Sequence, residues 1–199
     1  MSTKIFKMLG KLFLIVGPSG VGKGTLVHAL RRDHPEFYFP PSATTRAPRA
    51  DETEGDQYFF VSDERFEVMQ RENKFLETAV VHEAEKYGTL REPIEAAIAA
   101  GKVVIREVDI QGLKTIRQNF PREKFSAIFI VPPDFATLAR RIHKRQPDMS
   151  DTELARRLES AKAELIQKDL ADFEVVSGED AIGKMVAEVE AIIARESRE

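Results

Sequence analysis

A glycine-rich segment that ends in a lysine, residues 17–23, is the part of this sequence best suited to chemistry. It reads Gly17-Pro18-Ser19-Gly20-Val21-Gly22-Lys23 and lies between an apolar run and a segment of helical periodicity. Glycines let backbone N–H groups turn toward phosphate oxygens, and a helix that begins there adds its own unpaired N–H groups. Lys23 would place a cation near the β- and γ-phosphates. This Walker A pattern predicts nucleotide binding, with a glycine-rich turn that binds nothing as the alternative.

The position after the lysine departs from the usual pattern, in which a Ser or Thr contacts Mg²⁺. Here Gly24 follows the lysine, and Thr25 comes one residue later. A hydroxyl contact to the metal is therefore displaced or absent. The residues expected to hold the nucleotide are Gly17, Pro18, Ser19, Gly20, Val21, Gly22, Lys23, Gly24 and Thr25.

A second polar segment, residues 42–49, carries two arginines. It reads Ser42-Ala43-Thr44-Thr45-Arg46-Ala47-Pro48-Arg49. Guanidinium groups bind phosphate monoesters through paired hydrogen bonds, so two arginines on one loop suit such a ligand. A solvated basic loop without a ligand is the alternative when this segment is considered alone.

Four apolar runs predict the strands that must position these segments: residues 12–16, 103–108, 127–131 and 173–176. The first three are nearly continuous in apolar residues, which is typical of strands covered on both faces. Helical periodicity or capping patterns predict helices at residues 25–32, 91–100, 110–118, from 150 onward and from 181 onward. This alternation indicates an α/β protein with a parallel sheet.

Two regions interrupt the alternation. Residues 37–88, approximately, contain β-prone aromatic pieces around a short helix that starts near Ser62, which predicts a small inserted α+β subdomain. Residues 134–157, approximately, form two helical stretches joined by a turn, which predicts a helical flap. The remaining residues, about 1–36, 89–133 and 158–199, would form the core of one domain.

Length and composition limit the class of protein. The chain has 199 residues, 42% of them hydrophobic, which predicts a single domain with a sizeable core. Its formal net charge of −3 argues against a protein that coats nucleic acid. It contains no cysteine, which excludes disulfides, thiolate metal sites and a cysteine nucleophile. No apolar run approaches the roughly 20 residues of a membrane-spanning helix. We therefore expect a cytoplasmic protein without nucleic-acid or membrane partners.

Taken in order, these motifs resemble the guanylate kinase family across nearly the full length of the chain. Their order and spacing make the resemblance specific. The residues that carry it are the segment 17–25, Ser42-x-Thr44-Thr45-Arg46-x-Pro48-Arg49, Gly55-x-x-Tyr58-Phe59-Phe60-Val61, Phe75-Leu76-Glu77, Tyr87-Gly88-Thr89, Asp109-x-Gln111-Gly112, Ile128-Phe129-Ile130-Val131-Pro132-Pro133 and Arg156-Arg157-Leu158.

The resemblance implies a P-loop NTPase-type parallel sheet core flanked by helices. The inserted α+β subdomain would bind the nucleoside monophosphate, and the helical flap would be a lid. The implied reaction is ATP-dependent phosphorylation of GMP to GDP by in-line transfer, in purine nucleotide metabolism. The implied cofactor is Mg²⁺, held mainly by the ATP phosphates and water near Asp109. Whether dGMP is also an acceptor stays open, as does the choice between a monomer and a small homo-oligomer.

The resemblance also implies roles for individual residues. Those expected to bind GMP are Ser42, Glu77 and Thr89 at the base, Arg46, Arg49, Tyr58 and Tyr87 at the phosphate, and Asp109 near the acceptor. Those expected to act in phosphoryl transfer are Lys23, Asp109, Arg141, Arg145 and Arg157.

Elementary chemistry agrees with these roles. Guanine presents N1–H and N2–H₂ donors on one edge, so a carboxylate such as Glu77 can accept from both, whereas adenine has no donor at N1. A phosphate monoester has its second pKa near 6, so the GMP phosphate is mostly dianionic at pH 7 and needs no general base. Asp109 ends an apolar strand, where ligands gather in open α/β sheets, although it could equally cap the next helix. An ordinary surface glutamate is the alternative for Glu77 alone.

Three departures from the family pattern affect the placement of residues. The segment before Tyr87 is one residue longer than in the family, so Tyr87 and Thr89 are placed less securely than Glu77. Glu107 stands where aspartate is common. The lid has residues 144–147, Lys-Arg-Gln-Pro, where a glycine-flanked arginine is expected, and its loop is one residue longer.

Three other functions compete with a GMP kinase. A non-catalytic guanylate-kinase-like binding module would typically lose Lys23 or the two arginines of residues 42–49, which this chain keeps. A sugar-phosphate kinase would have no purine edge for Glu77 to read. A nucleic-acid-binding ATPase is disfavoured by the net charge and by the lack of a second nucleotidase motif.

Overall fold

The computed structural model describes residues 9–49, 52–81, 85–178 and 182–198. In chain order the elements are β1 (Lys11–Val16), α1 (Lys23–Asp33), β2 (Ser42–Thr44), β3 (Tyr58–Phe60), α2 (Asp63–Arg71), β4 (Phe75–Val81), β5 (Glu85–Leu90), α3 (Arg91–Ala99), β6 (Val103–Glu107), α4 (Ile110–Asn119), β7 (Phe125–Val131), α5 (Phe135–Arg145), α6 (Asp151–Leu165), β8 (Phe173–Val176) and α7 (Ile182–Glu196).

Four parallel strands form the core sheet, in the order β6-β1-β7-β8. All seven residues of β7 are buried, because helices cover both faces of the sheet. One apolar cluster joins the sheet to α1, α5 and α7, and the other joins it to α3 and α4. Strands buried on both faces lack polar alternation, which is why the sequence shows them as apolar runs. The predicted α/β fold with a parallel core sheet is confirmed.

A second sheet has the order β3-β2-β5-β4 and lies within the inserted region. β2 pairs parallel with β3, and β5 pairs antiparallel with both β2 and β4. α2 covers one face, where Phe66 packs with Ala43 and Phe75. The other face carries polar side chains and looks toward the core sheet.

The prediction that residues 42–49 form a polar loop was wrong at its start. Ser42–Thr44 is a strand between β3 and β5. Both Ser42 and Thr44 are fully buried although they are polar, so the strand shows no hydrophobic alternation from which it could be recognised. The sequence analysis did not predict β5 either. Residues 82–84 precede it and include part of the segment before Tyr87 that is one residue longer than in the family; they lie outside the described residues.

The two helices of the flap begin at side-chain caps. Asp134 accepts a hydrogen bond from the backbone N–H of Thr137 (2.6 Å), and Ser150 accepts one from that of Glu153 (3.2 Å). α6 continues to Leu165, so the expected flap boundary near residue 157 falls inside a helix. No helix in the described ranges is long and apolar enough to cross a membrane.

Candidate active site

A cleft of about 1100 Å³ separates the carboxyl ends of the core strands from the polar face of the second sheet. This volume exceeds the range of about 300–1000 Å³ that is usual for the pocket of one ligand, so the cleft has room for two. The predicted residues that line it are Gly17, Ser19, Gly20, Gly22, Lys23, Gly24, Thr25, Tyr58, Glu77, Tyr87, Asp109, Arg141 and Arg145. The predicted residues outside this lining are Pro18, Val21, Ser42, Arg46, Arg49, Thr89 and Arg157.

The glycine-rich loop has backbone conformations that favour glycine. Gly17, Gly20 and Gly22 have φ angles of 142°, 82° and 110°. A Cβ atom on Gly17 would lie 2.4 Å from the carbonyl oxygen of Ile130, on the neighbouring strand β7. The loop therefore needs glycine at position 17 both for its conformation and for its contact with the core sheet.

Lys23, the first residue of α1, folds back over this loop. Its Nζ donates hydrogen bonds to the carbonyl oxygens of Gly17 (2.6 Å) and Pro18 (3.1 Å). The carboxylate of Glu107 lies 3.8 Å from the same Nζ. The cation is thus held at the mouth of the loop, beside the unpaired N–H groups of the helix N-terminus, where an anion would be stabilised.

Gly24 differs from the glycines before it. Its φ angle is not in the left-handed region, and a Cβ atom there would have no heavy atom within 4 Å. The fold therefore leaves room for a side chain at the position where the usual pattern has Ser or Thr.

One row of residues crosses the whole second sheet. In the strand registers, Ser42 pairs with Tyr58 of β3 and with Thr89 of β5, and Thr89 pairs with Glu77 of β4. Directly paired residues point to the same face of a sheet. Four residues that are far apart in the sequence thus form one line on the face toward the cleft. Tyr87 lies two residues from Thr89 on β5, and so on the same face.

Glu77 sits in this row almost without contact with solvent, since it is 8% exposed. The hydroxyl of Thr89 donates a hydrogen bond to its carboxylate. Burial raises the pKa of Glu77, and the nearby guanidinium of Arg106 acts in the opposite direction. A buried carboxylate with few donors of its own is an acceptor available for a ligand.

The two arginines of the segment 42–49 lie at one end of the row. Arg46 donates to the hydroxyl of Tyr87 (3.2 Å) and to the carboxylate of Glu52 (2.7 Å), and its guanidinium lies 5.4 Å from the ring centre of Tyr58. The other oxygen of Glu52 accepts the backbone N–H of Arg49 (2.7 Å). The Arg46 guanidinium lowers the pKa of Glu52. The carboxylate of Glu52 therefore engages a side-chain donor of Arg46 and the backbone donor of Arg49.

Asp109 caps the next helix, which was the structural alternative in the sequence analysis, and it also lines the cleft. Its carboxylate accepts the backbone N–H of Gly112 (2.7 Å) and so caps α4. It follows β6, next to the glycine-rich loop that follows β1. Both roles are compatible, because a capping carboxylate has a second oxygen.

The three flap arginines are in different situations. Arg141 donates to the carbonyl oxygens of Val21 (3.2 Å) and Gly178 (2.8 Å), which ties α5 to the glycine-rich loop. Arg145 lines the cleft and is exposed. Arg157 instead donates to Glu153 (2.8 Å) and does not reach the cleft lining. The partners Arg156 and Arg157 lower the pKa of Glu153 to about 2.

Sequence reasoning missed several polar residues of the site, among them Arg106, Glu52 and Glu164. Arg106 was detectable as a lone cation inside an apolar strand. Glu52 and Glu164 gave no signal, because a single acid in a polar segment or on a helix is ordinary. Glu164 of α6 lines the cleft, and burial raises its pKa.

Comparisons with known proteins give a consistent result. The model of the guanylate kinase family matches residues 9–196. The chain is 40% identical to the guanylate kinase of Bifidobacterium longum (strain NCC 2705) over 189 residues, which are 94% of this chain and 95% of that protein. It is 43% identical over 176 residues to the guanylate kinase of Nostoc sp. (strain PCC 7120 / SAG 25.82 / UTEX 2576), with 88% of this chain and 86% of that protein covered. Among solved structures, the guanylate kinase from Anaplasma phagocytophilum superimposes with a TM-score of 0.75 at 26% identity, over 98% of this chain and 90% of that chain.

Proposed function

The chain belongs to the guanylate kinase family and is an enzyme that phosphorylates GMP to GDP with ATP, and from this premise we propose the roles of its site residues. ATP binds the glycine-rich loop, residues 17–25, and GMP binds the polar face of the second sheet. The γ-phosphoryl group passes between them across the cleft. The observation that carries this proposal is the row Tyr58–Ser42–Thr89–Glu77, which places hydroxyls and one carboxylate on the face opposite the loop.

Glu77, Ser42 and Thr89 recognise the guanine base in this proposal. The carboxylate of Glu77 accepts from N1–H and N2–H₂, and its burial makes an unmatched base costly. Adenine would leave the carboxylate without a donor at N1. The hydroxyls of the other two residues provide further hydrogen bonds, because each can donate or accept.

Arg46, Arg49, Tyr58 and Tyr87 hold the phosphate of GMP. The carboxylate of Glu52 pairs with Arg46 and with the backbone N–H of Arg49. A phosphate dianion has more charge and three acceptor oxygens, so it would replace this carboxylate on the same donors. The contacts of Glu52 thus show that this loop can enclose an anionic group.

The transfer itself requires positioning and positive charge more than covalent chemistry. Lys23 and Arg141 stand on the ATP side, and Arg145 faces the cleft from the flap. Arg157 would first exchange Glu153 for the transferred phosphoryl group. Asp109, which lines the cleft, would lie near the acceptor phosphate and could hold Mg²⁺ or its water. No general base is assigned, because the attacking phosphate oxygen is already ionised.

The residues of the cleft could help to hold Mg²⁺, while ATP phosphates and water would supply most of its ligands. The carboxylates of Glu107, Asp109 and Glu164 line the cleft near Lys23, and oxygen is the ligand atom that Mg²⁺ prefers. No cluster of three or more metal-binding side chains is found within the described residues. In this proposal Mg²⁺ would be held mainly by ATP phosphates and water, with Asp109 nearby. When bound, the metal neutralises charge on the transferred phosphoryl group.

Position 24 offers a direct test of the metal assignment. A serine there would have space for its side chain and would restore the hydroxyl of the usual pattern. We expect Gly24→Ser to lower the Mg²⁺ concentration needed for half-maximal activity by roughly two- to fivefold, since one neutral ligand contributes at most about 1 kcal/mol.

The matched control is Gly24→Ala, which adds a Cβ atom without a hydroxyl. Neither variant should unfold at a lower temperature than the wild type, because a Cβ atom at position 24 has no heavy atom within 4 Å and the backbone there is not in the left-handed region. If the serine and alanine variants require the same Mg²⁺ concentration, position 24 has no access to the metal.

The proposed roles require the second sheet and the flap to approach each other around the substrates. The cations of the glycine-rich loop, of the segment 42–49 and of the helical flap lie on three separate elements, and phosphates bound between them would draw these elements together. We expect the distance between the second sheet and the helical flap to shorten when a bisubstrate analogue of ATP and GMP binds. It should shorten less with either nucleotide alone.

The absence of cysteine makes this measurement specific. A donor–acceptor pair can be attached at Val80→Cys, which is exposed on β4, and at Asp148→Cys in the turn of the flap. The control is a pair at Lys102→Cys and Glu123→Cys, which are both exposed and precede strands of the core sheet. The distance between these two labels should not change. If the distance between the second sheet and the helical flap is identical with and without the bisubstrate analogue, the proposed approach of these two elements is wrong.

A further inference from the structure

Arg106 has an unusual position for a cation. It lies on β6, directly after the buried residues Val103, Val104 and Ile105, and pairs in register with the buried Leu14. Its guanidinium nevertheless leaves the core sheet and reaches the second sheet. Nη2 donates to the hydroxyl of Ser42, and Nε donates to the hydroxyl of Thr89 (3.1 Å). Arg106 therefore connects the two sheets at the row of residues assigned to the base.

The contacts of Arg106 form a polarised chain that ends at Glu77. Thr89 accepts from Arg106 and donates its own hydrogen to the carboxylate of Glu77. Burial lowers the pKa of Arg106, while the charge of Glu77 acts to raise it. The buried carboxylate and the half-buried guanidinium thus stabilise each other across the Thr89 hydroxyl, and neither forms a direct ion pair with any residue in the described ranges.

Arg106 also has donors left over. A guanidinium carries five N–H donors, and two of them are used in these hydrogen bonds. Its Nη1 makes no hydrogen bond to any residue in the described ranges, and the side chain lines the cleft. Donors in a poorly solvated place are costly until an acceptor arrives. A ligand seated on the row would be that acceptor.

We infer that Arg106 is a specificity-determining residue that binds the O6 and N7 edge of guanine, next to Glu77 on the N1 and N2 edge. This inference rests on the proposed role of Glu77. O6 is attached beside N1, so a base that presents its donors to Glu77 presents O6 to a neighbouring donor. Guanidinium matches the O6 and N7 acceptors of guanine with two parallel hydrogen bonds. Adenine offers an amino group at this place, so the cation and the carboxylate reject it together.

The test compares GMP with 7-deaza-GMP, in which a C–H replaces N7 and nothing else changes. In the wild type we expect kcat/KM to be at least about fivefold lower for the 7-deaza substrate, the lower end of what a paired contact to a base edge provides. In Arg106→Met this ratio should fall to near one, with a lower kcat/KM for GMP itself. Arg106→Lys keeps the charge but loses the paired guanidinium donors, and should give an intermediate ratio of kcat/KM for GMP to that for 7-deaza-GMP.

Controls separate this role from a structural one. Arg91→Met removes another half-buried arginine that bonds to backbone carbonyls and to Glu95, but lies outside the cleft lining, and it should leave the ratio unchanged. The KM for ATP and the unfolding temperature should be similar in all variants. If Arg106→Met lowers kcat/KM for GMP and 7-deaza-GMP equally, or if the wild type does not distinguish them, Arg106 only positions Ser42 and Thr89 and the inference is wrong.

A separate measurement decides whether the role of Glu77 holds. IMP lacks the 2-amino group of GMP and retains O6 and N7. The wild type should prefer GMP to IMP, and Glu77→Gln should lose that preference. An unchanged preference in Glu77→Gln would overturn the assignment of Glu77, whereas the 7-deaza ratio alone decides the contact of Arg106 with the base.

Discussion

Replacing Lys23 with methionine is expected to lower kcat/KM for ATP by roughly 10³-fold, which is the size of effect seen when a preorganised donor to a developing charge is removed. The Nζ of Lys23 is the cation nearest the glycine-rich loop, and methionine fills similar space without charge or donors. Loss of the Lys23 charge should destabilise the transition state more than the bound substrate. The reason is that solvent compensates the charge on the phosphoryl oxygens least in the transition state. Steady-state kinetics with saturating GMP measures this change.

The structure adds a condition to this prediction. The side chain of Lys23 is only 12% exposed and bonds to two carbonyl oxygens of the loop, so its replacement can also affect folding. Circular dichroism and thermal unfolding must therefore show that the variant is folded. Lys11→Met is the matched control, since Lys11 is equally shielded and pairs with Glu196 (3.0 Å) far from the cleft. Turnover near the wild-type value in the Lys23 variant would refute the phosphate-binding role of the loop.

Replacing Glu77 with glutamine is expected to lower kcat/KM for GMP by roughly 10- to 100-fold, mainly through a higher KM. The amide directs N–H₂ toward guanine donors, so at least one charge-assisted hydrogen bond of about 1.5–3 kcal/mol is lost and a repulsive contact takes its place. The preference for GMP over AMP should narrow, because the amide can donate to N1 of adenine. ADP release with GMP, AMP, CMP and UMP as acceptors measures both effects.

Stability should not explain this loss. Burial raises the pKa of Glu77, which means that the folded state disfavours the charged carboxylate and would tolerate a neutral amide. Glu196→Gln, which removes a carboxylate that pairs with Lys11 outside the cleft, controls for the general effect of losing a carboxylate. Glu77 would be a structural residue if the KM values for ATP and GMP rose by the same factor.

The sequence determined the parts of this protein that depend on neighbours along the chain. The glycine-rich loop was predictable because its strand, turn, helix and cation are contiguous and each has its own residue preference. The strands β1 and β7 and the first half of β6 were predictable because burial on both faces demands uninterrupted apolar residues. The helix starts at Ser62 and Ser150 were predictable from their hydroxyl caps, which act within three residues. The base-reading set Ser42, Glu77 and Thr89 could be named only through the family resemblance.

Tertiary structure decided the contacts between residues that are distant in the sequence. Only strand pairing aligns Ser42, Thr89 and Glu77 in one row, and only the approach of the two sheets brings Arg106 to them. The ion pairs of Arg46 with Glu52 and of Arg157 with Glu153 are local in the sequence, but only the structure shows that these arginines are engaged by carboxylates rather than solvated. The physical reason is that a polar side chain has many possible partners of equal chemistry, and the packing of the apolar core selects which of them it meets.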